Sequence, residues 1–552
     1  MKFNILFRLA ILSSQVISDL IEVSNEKPLH IGVSITYASR SHIKYLLEIL
    51  KDVSKKGHRI TYLSMEEDKR FAKGYNYTHY SLGNIKKSVS ETDGMEPASR
   101  DDSTFKNVAG LSQALANYYK ESFPVYEKFY REEKPDLMIC DFVAISCVDS
   151  AAKNTIPMVM GFQSLMFTYK SPYLTEAGAF DPTTIENYNF LQRMKHAIID
   201  PVYSIKNLYP AFDQILNQKR IHGIPESFKF IALGHMGIGI ANSYIGLESA
   251  RNIPSHIHPI GPILSGDTPS LPEELQNFMD TRSKVLYVAF GSLVKPSQYL
   301  LAKLLSHFQR AINQGILDGI VWGLPNTDLK TFPKIFKVDS AEYTTAKIAE
   351  GTHDKIKILK WAPQQTILNH QSTKLFLSHG GLDSIHESAN AGVPMLILPF
   401  VGDQPRNAVI VAEKGVGDYI EWDKMSESEV YHKFVNLLDP NNFELKSKVN
   451  QLQLITKFSS KRKEMAADLI ETYAYSAKAC RQFDTPNPFE APCEVLPFLP
   501  LDKRISFIKS NLIDVYIAST LIIITVLFSL VYFIYHSLKF LINLTHTKQK
   551  QE

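Results

Sequence analysis

The residues best suited to chemistry crowd into positions 361–407, WAPQQTILNHQSTKLFLSHGGLDSIHESANAGVPMLILPFVGDQPRN. An apolar run ends at His379, Gly380 and Gly381 allow a sharp turn, and LDSIHESANAG continues at helical spacing. A helix N-terminus presents unpaired N–H groups and a partial positive charge, and glycines just before it let a phosphate approach the backbone. His379 adds a donor. An ordinary strand-to-helix turn of an α/β domain has the same outline, so the company around it matters. Trp361 offers a broad π face, Gln364 an amide, Ser384 a hydroxyl and Glu387 an acceptor-only carboxylate. Asp403 and Gln404 stand at the next strand-to-helix junction.

The elements that must position these groups read as two α/β halves. HIGVSITY (30–37) is a strand, 41–56 has helical spacing, and 58–63 is a second strand after the Gly57 break. DLMIC (136–140) and 157–160 continue the pattern, as in a parallel doubly wound sheet. Segments 71–130 and 164–228 are less regular and rich in Tyr and Phe, open to reading as lids over an apolar ligand or as core and surface helices. Five prolines between 254 and 272 mark a linker, assigned to 256–283, between an N-terminal domain (25–255) and a second domain (284–440). VLYVAFGS (285–292), GIVWG, KIKILKW, KLFLSHGG and PMLILPF supply its strands. Ligands of such sheets bind outside the carboxyl ends of the strands, where the motifs described above fall. A long polar helix is expected at 444–475, within C-terminal helices at 441–485, and an extended tether at 486–514.

Length and charge narrow the field. A chain of 552 residues holds two or three domains, and a net charge of +3 argues against a dedicated nucleic-acid binder. Four cysteines are too few for a disulfide scaffold. Cys480 and Cys493 could pair or stand as free thiols, and Cys140 reads as a buried small hydrophobe. Residues 1–24 fit a secretory signal, against the alternative of a first buried strand. The uncharged run 515–535 is long enough to cross a hydrocarbon core of roughly 30 Å. Lys539, Lys548 and Lys550 follow it, which places the tail (536–552) in the cytosol and the body in the lumen. The ending KQKQE has the lysine spacing of an endoplasmic-reticulum retrieval signal or is a solvated basic tail. Asn76 heads an Asn-Tyr-Thr glycosylation acceptor.

The block FLSHGGLDSIHESANAGVPMLILPFVGDQPRN, with WAPQ before it, resembles the donor signature of the UDP-glucuronosyltransferases and their plant and fungal relatives, glycosyltransferase family 1. The signal, single C-terminal span and lysine tail are similar to the animal-type architecture. The resemblance implies two facing Rossmann-like domains (GT-B) plus a transmembrane helix. It implies that Trp361 stacks on uracil, Gln364 lies near the nucleoside and Glu387 accepts from the ribose hydroxyls. His379, the N–H groups around Gly381 and Ser384, and Ser292 would hold the diphosphate, and Asp403 and Gln404 the sugar. No metal is implied, and no Asp-x-Asp pair occurs in the chain. No separate cofactor is implied either, the UDP-sugar being a co-substrate.

From the other half the resemblance draws His42, at the opening of the first helix, as catalytic base, and Asp141 as its acidic partner. Alone, they read as a helix-start surface histidine and a cap. Asp383 departs from the pattern: many relatives carry Asn, and a carboxylate repels phosphate. It is expected to turn away, as a helix cap, or to weaken donor binding. Arg406 has no assigned role and reads as a solvated surface residue. The implied activity is inverting transfer of a hexosyl group, glucose or glucuronate, from a UDP-sugar to a hydroxyl of a small lipophilic acceptor. A catalytically impaired nucleotide-sugar or lipid binder and a glycolipid-assembly transferase are the alternatives, and homo-oligomerisation stays open.

Overall fold

The computed structural model describes residues 27–36, 40–85, 95–99, 105–165, 171–175, 180–225, 236–266, 268–292, 294–325, 332–424 and 426–548. The signal expected at 1–24 lies outside them. The chain divides into two units, Met1–Pro497 and Phe498–Glu552.

The larger unit contains two parallel sheets. β1 (His30–Ser34), β2 (Arg59–Ser64), β3 (Thr78–Ser81), β4 (Leu137–Asp141), β5 (Met158–Phe162), β6 (Ile238–Ala241) and β7 (Ile257–Pro259) lie in the order β3-β2-β1-β4-β5-β6-β7, all parallel. The second sheet combines β8 (Val285–Ala289), β9 (Gly319–Gly323), β12 (Ile356–Leu359), β13 (Thr373–Ser378), β14 (Met395–Ile397) and β15 (Gly417–Tyr419) in the order β12-β9-β8-β13-β14-β15, again all parallel. A separate hairpin joins β10 (Ile335–Val338) to β11 (Ala341–Thr344). The expected pair of doubly wound α/β domains is the observed fold. Central strands such as β1, β4, β8 and β9 are buried at every residue, because helices cover both faces of a parallel sheet.

This strand order fixes where chemistry can happen. In the first sheet the winding reverses between β1 and β4, and in the second between β8 and β13. At such a switch point the following loops diverge and leave a crevice. The helix Arg40–Lys55 follows β1, and Asp141 ends β4. Ser292 follows β8, and His379 to Gly381 follow β13.

Three stretches differ from the sequence reading. The Pro-rich stretch 256–283 is more than a connector: it contributes β7 and the helix Glu273–Asp280. Pro259 is tolerated because β7 is an edge strand, where a missing N–H breaks no ladder. The expected long helix is two, Phe443–Ser459 and Lys463–Cys480, separated by a tight turn at Ser460–Arg462. The second lies against Arg40–Lys55, with Lys463 Nζ 3.2 Å from Asp52 Oδ2, and against the loop before β2, where His58 Nε2 is 2.7 Å from Glu471 Oε1. The start of the expected tether is packed: Glu494 and Val495 are fully buried, and Arg481 reaches Glu494 through Nε (3.1 Å) and Nη2 (2.5 Å).

The cysteines also correct the sequence reading. Cys140, taken as a buried hydrophobe, is buried but disulfide-bonded to Cys147, and Cys480 pairs with Cys493. The first pairing was hidden because Cys147 lies on the helix after β4, and only the fold returns it to the strand end. Asn76 is exposed, just ahead of β3. In the smaller unit the helix Ile513–Lys548 includes one stretch, Ile513–Lys539, long and apolar enough to cross a membrane.

Candidate active site

On the first domain, the helix start is set by Gln163, whose Nε2 donates to the Ser41 carbonyl at 2.5 Å. One residue on, His42 Nδ1 lies 3.2 Å from each carboxylate oxygen of Asp141. Phe142 stacks on the imidazole at 5.8 Å and 23°. Asp141 is fully buried and accepts from the Val143 N–H at 3.1 Å, and the Cys140–Cys147 disulfide ties its strand end to the next helix. With Nδ1–H donating to the carboxylate, Nε2 is left with a free lone pair. Burial alone would lower the His42 pKa. The Asp141 carboxylate, assisted by Asp403 and Asp383, outweighs it and leaves the pKa above its ordinary value. The last two belong to the second domain, so the imidazole faces the other half of the molecule.

On that half, the backbone after β13 turns at Gly380 (φ 87°) into the helix Leu382–Ala391. A Cβ at Gly380 would meet Ile397 Cγ2 at 2.7 Å. One at Gly381 would come within 2.5 Å of His379 Nε2, and one at Gly291 (φ 73°), after β8, within 2.8 Å of the same atom. Gly381 and Gly291 thus leave bare backbone against the imidazole, and Gly380 against Ile397. Burial pulls the His379 pKa down to about 4, so it is a neutral donor or acceptor. Ser292, next to Gly291 in sequence, is exposed.

Glu387, one turn into the helix, is 8% exposed and well supplied with donors. Gln364 Nε2 donates at 2.7 Å, Gln365 Nε2 at 2.9 Å, and Lys44 Nζ, from the first domain, at 3.2 Å. Gln364 also donates to Ser384 Oγ (3.1 Å), and Tyr287 donates to its carbonyl oxygen (3.2 Å). Trp361 stands 65% exposed, leaving a large indole uncovered. Asp403 accepts from Asn407 Nδ2 at 2.8 Å, and the same amide donates to the Gly380 carbonyl at 2.9 Å, tying this junction to the glycine turn. The Gln404 carbonyl oxygen is already occupied, accepting from the Phe400 and Val401 N–H groups at 2.8 and 3.0 Å.

Two sequence expectations change. Asp383 is not a helix cap; it faces the first domain, where Asn242 Nδ2 lies 3.4 Å from Oδ1. The Asn242 amide is oriented by the Ile263 N–H, which donates to its oxygen at 2.8 Å. Burial pushes the Asp383 pKa up to about 6, against the pull of Lys44 and with help from Glu387. Arg406 is buried rather than solvated, with Nη1 2.7 Å from Thr175 Oγ1 and 3.2 Å from the Pro182 carbonyl, and Nη2 2.8 Å from the Thr183 carbonyl. It fastens a loop of the first domain to the second. Lys44, Gln365, Asn242 and Asn407 were not singled out by sequence. Asn407, four residues after Asp403 on a helix, had a readable signal; Asn242 had none short of the fold.

The family described as "UDP-glucoronosyl and UDP-glucosyl transferase" matches residues 187–457. UDP-glycosyltransferase 1 of Phaeomoniella chlamydospora is 30% identical over 383 residues, covering 67% of this chain and 75% of that protein. UDP-glycosyltransferase stmC of Aspergillus ustus is 24% identical over 499 residues, covering 86% and 91%. Among solved structures, a UDP-glucosyltransferase from Polygonum tinctorium superposes with a TM-score of 0.55 at 21% identity, over 81% of this chain and 99% of that one, a likeness of fold. By these matches the chain belongs to the UDP-glycosyltransferase family.

Proposed function

We propose that the enzyme transfers a hexosyl group, glucose or glucuronate, from a UDP-sugar to the hydroxyl of a small lipophilic acceptor with inversion, without a metal. The observation that carries this reading is the His42–Asp141 pair at the first domain's switch point, facing the carboxylates Asp383 and Asp403 of the second domain. His42 Nε2 takes the acceptor hydroxyl proton as the oxygen attacks C1; the C1–O bond to UDP breaks, and UDP leaves with that electron pair. Asp141 holds the ring and stabilises the imidazolium. Trp361 stacks on the uracil, Glu387 accepts from the ribose, Gln364 borders the nucleoside, and Asp403 and Gln404 contact the sugar. The diphosphate sits against His379, Ser292 and the N–H groups of Gly381 and Ser384, whose helix-end charge stands where other enzymes place a cation.

The body is luminal and the chain a single-pass type I protein of the endoplasmic reticulum. Two disulfides, rare in reducing compartments, and an exposed Asn76 support this. Incubating the full chain with a panel of UDP-sugars and lipophilic alcohols, with mass detection of products, tests the activity. Glycosylated product with His42→Ala inactive supports it; binding of UDP without turnover of any pair favours a non-catalytic binder.

A further inference from the structure

The first domain enters the nucleotide side of the cleft through one ion pair: Lys44 Nζ lies 3.2 Å from Glu387 Oε1, with side chains 21% and 8% exposed. Lys44 sits two residues beyond His42, in the first turns of the same helix. The other donors to Glu387, Gln364 and Gln365, come from its own domain.

We propose that Lys44 is a positioning residue for the transfer reaction: its ammonium grips Glu387 across the cleft and couples occupation of the nucleoside pocket to the seating of the helix that carries His42. The proposal rests on the reading of Glu387 as the ribose acceptor. An ionised carboxylate has about four acceptor sites, so a ribose hydroxyl can join while the lysine stays. Charge balance points the same way. Asp141, Asp383, Asp403 and Glu387 gather around the cleft, and a diphosphate adds to their charge. Lys44 and Arg40, which pull the Asp383 pKa down, lie on the same helix of the first domain as His42. Closing the first domain onto the second therefore brings in the counter-charge together with the base. A partly buried pair of this kind is screened less by salt than a surface bridge.

The test is a double-mutant cycle on the full chain in detergent, with Lys44→Met, Glu387→Gln and the pair, reading UDP affinity by calorimetry and kcat for transfer. Lys44→Met is expected to lower kcat about tenfold and to weaken UDP about threefold to tenfold, and both effects are expected to vanish in the Glu387→Gln background. Lys44→Arg restores most of the loss. Additive effects, or wild-type kcat and UDP affinity in Lys44→Met, overturn the proposal, since a lysine that merely stabilised the fold would act independently of Glu387. If Glu387→Gln alone leaves UDP affinity intact, the ribose assignment falls and the coupling with it. If Glu387→Gln weakens UDP but Lys44→Met adds independently, only the Lys44 proposal falls.

Discussion

The two switch points solve the same problem by opposite means. In the second domain most of the groups, from Trp361 through His379 to Glu387, fall within one short stretch of sequence, and bare backbone at Gly380 and Gly381, with Gly291 from the end of β8, does much of the work. In the first, the working unit is a pair of side chains, His42 and Asp141, brought together only when β1 and β4 lie side by side. A phosphate site can be local because helix N-termini and glycine turns are local structures. A polarised base is a tertiary construction: it needs a buried carboxylate from a neighbouring strand, and here a disulfide beside it.

That contrast can be broken by substitution. Asp141→Asn should reduce kcat by about 10²-fold or more while leaving UDP affinity unchanged. Because Asp141 holds the His42 pKa above its ordinary value, and the base must be neutral, activity rises with pH through that raised pKa. Asp141→Asn should shift this acid limb to lower pH, as a pH–rate profile will report. Trp361→Ala acts on the other side: losing one base stack, worth about 1–3 kcal/mol, should weaken UDP roughly tenfold to a hundredfold in calorimetry.

Asp383 gives a smaller effect with a distinctive sign. Its carboxyl, pushed up to about 6, is charged at pH 7.5 and largely neutral at pH 5.5, so UDP affinity should rise as pH falls, by up to about tenfold. Asp383→Asn should flatten that dependence. Arg406→Met should leave UDP affinity near wild type and lower the thermal midpoint by several degrees, because carbonyls of the loop at 182–183 lose a buried donor at a cost of about 1–3 kcal/mol. Unchanged stability would mean that the loop is held by other contacts, such as the Thr183 N–H to Glu413.

These differences also mark what sequence reasoning could reach. The central strands of both sheets were legible because buried parallel strands are continuous apolar runs, and the glycine turn because its residues are adjacent; the short strands β3, β6, β7 and β15 were not. Arg406 was misread because a charged residue in the first turn of a helix gives no sign that a loop from another domain will bury it. Cys147 was passed over as the partner of Cys140 for a similar reason, the strand end and the helix meeting only after the turn between them forms. Asn242 and Lys44 act on residues of the opposite domain, a relation that periodicity along one chain does not carry.

The proposed division of labour has the nucleotide held by the second domain and the proton removed by the first. It is tested most directly by measuring, on one preparation of His42→Ala, both the UDP dissociation constant and the single-turnover transfer rate. The account predicts wild-type UDP affinity with transfer slowed by about 10²–10⁴-fold. Near-normal transfer, or loss of UDP binding in step with the rate, would contradict it.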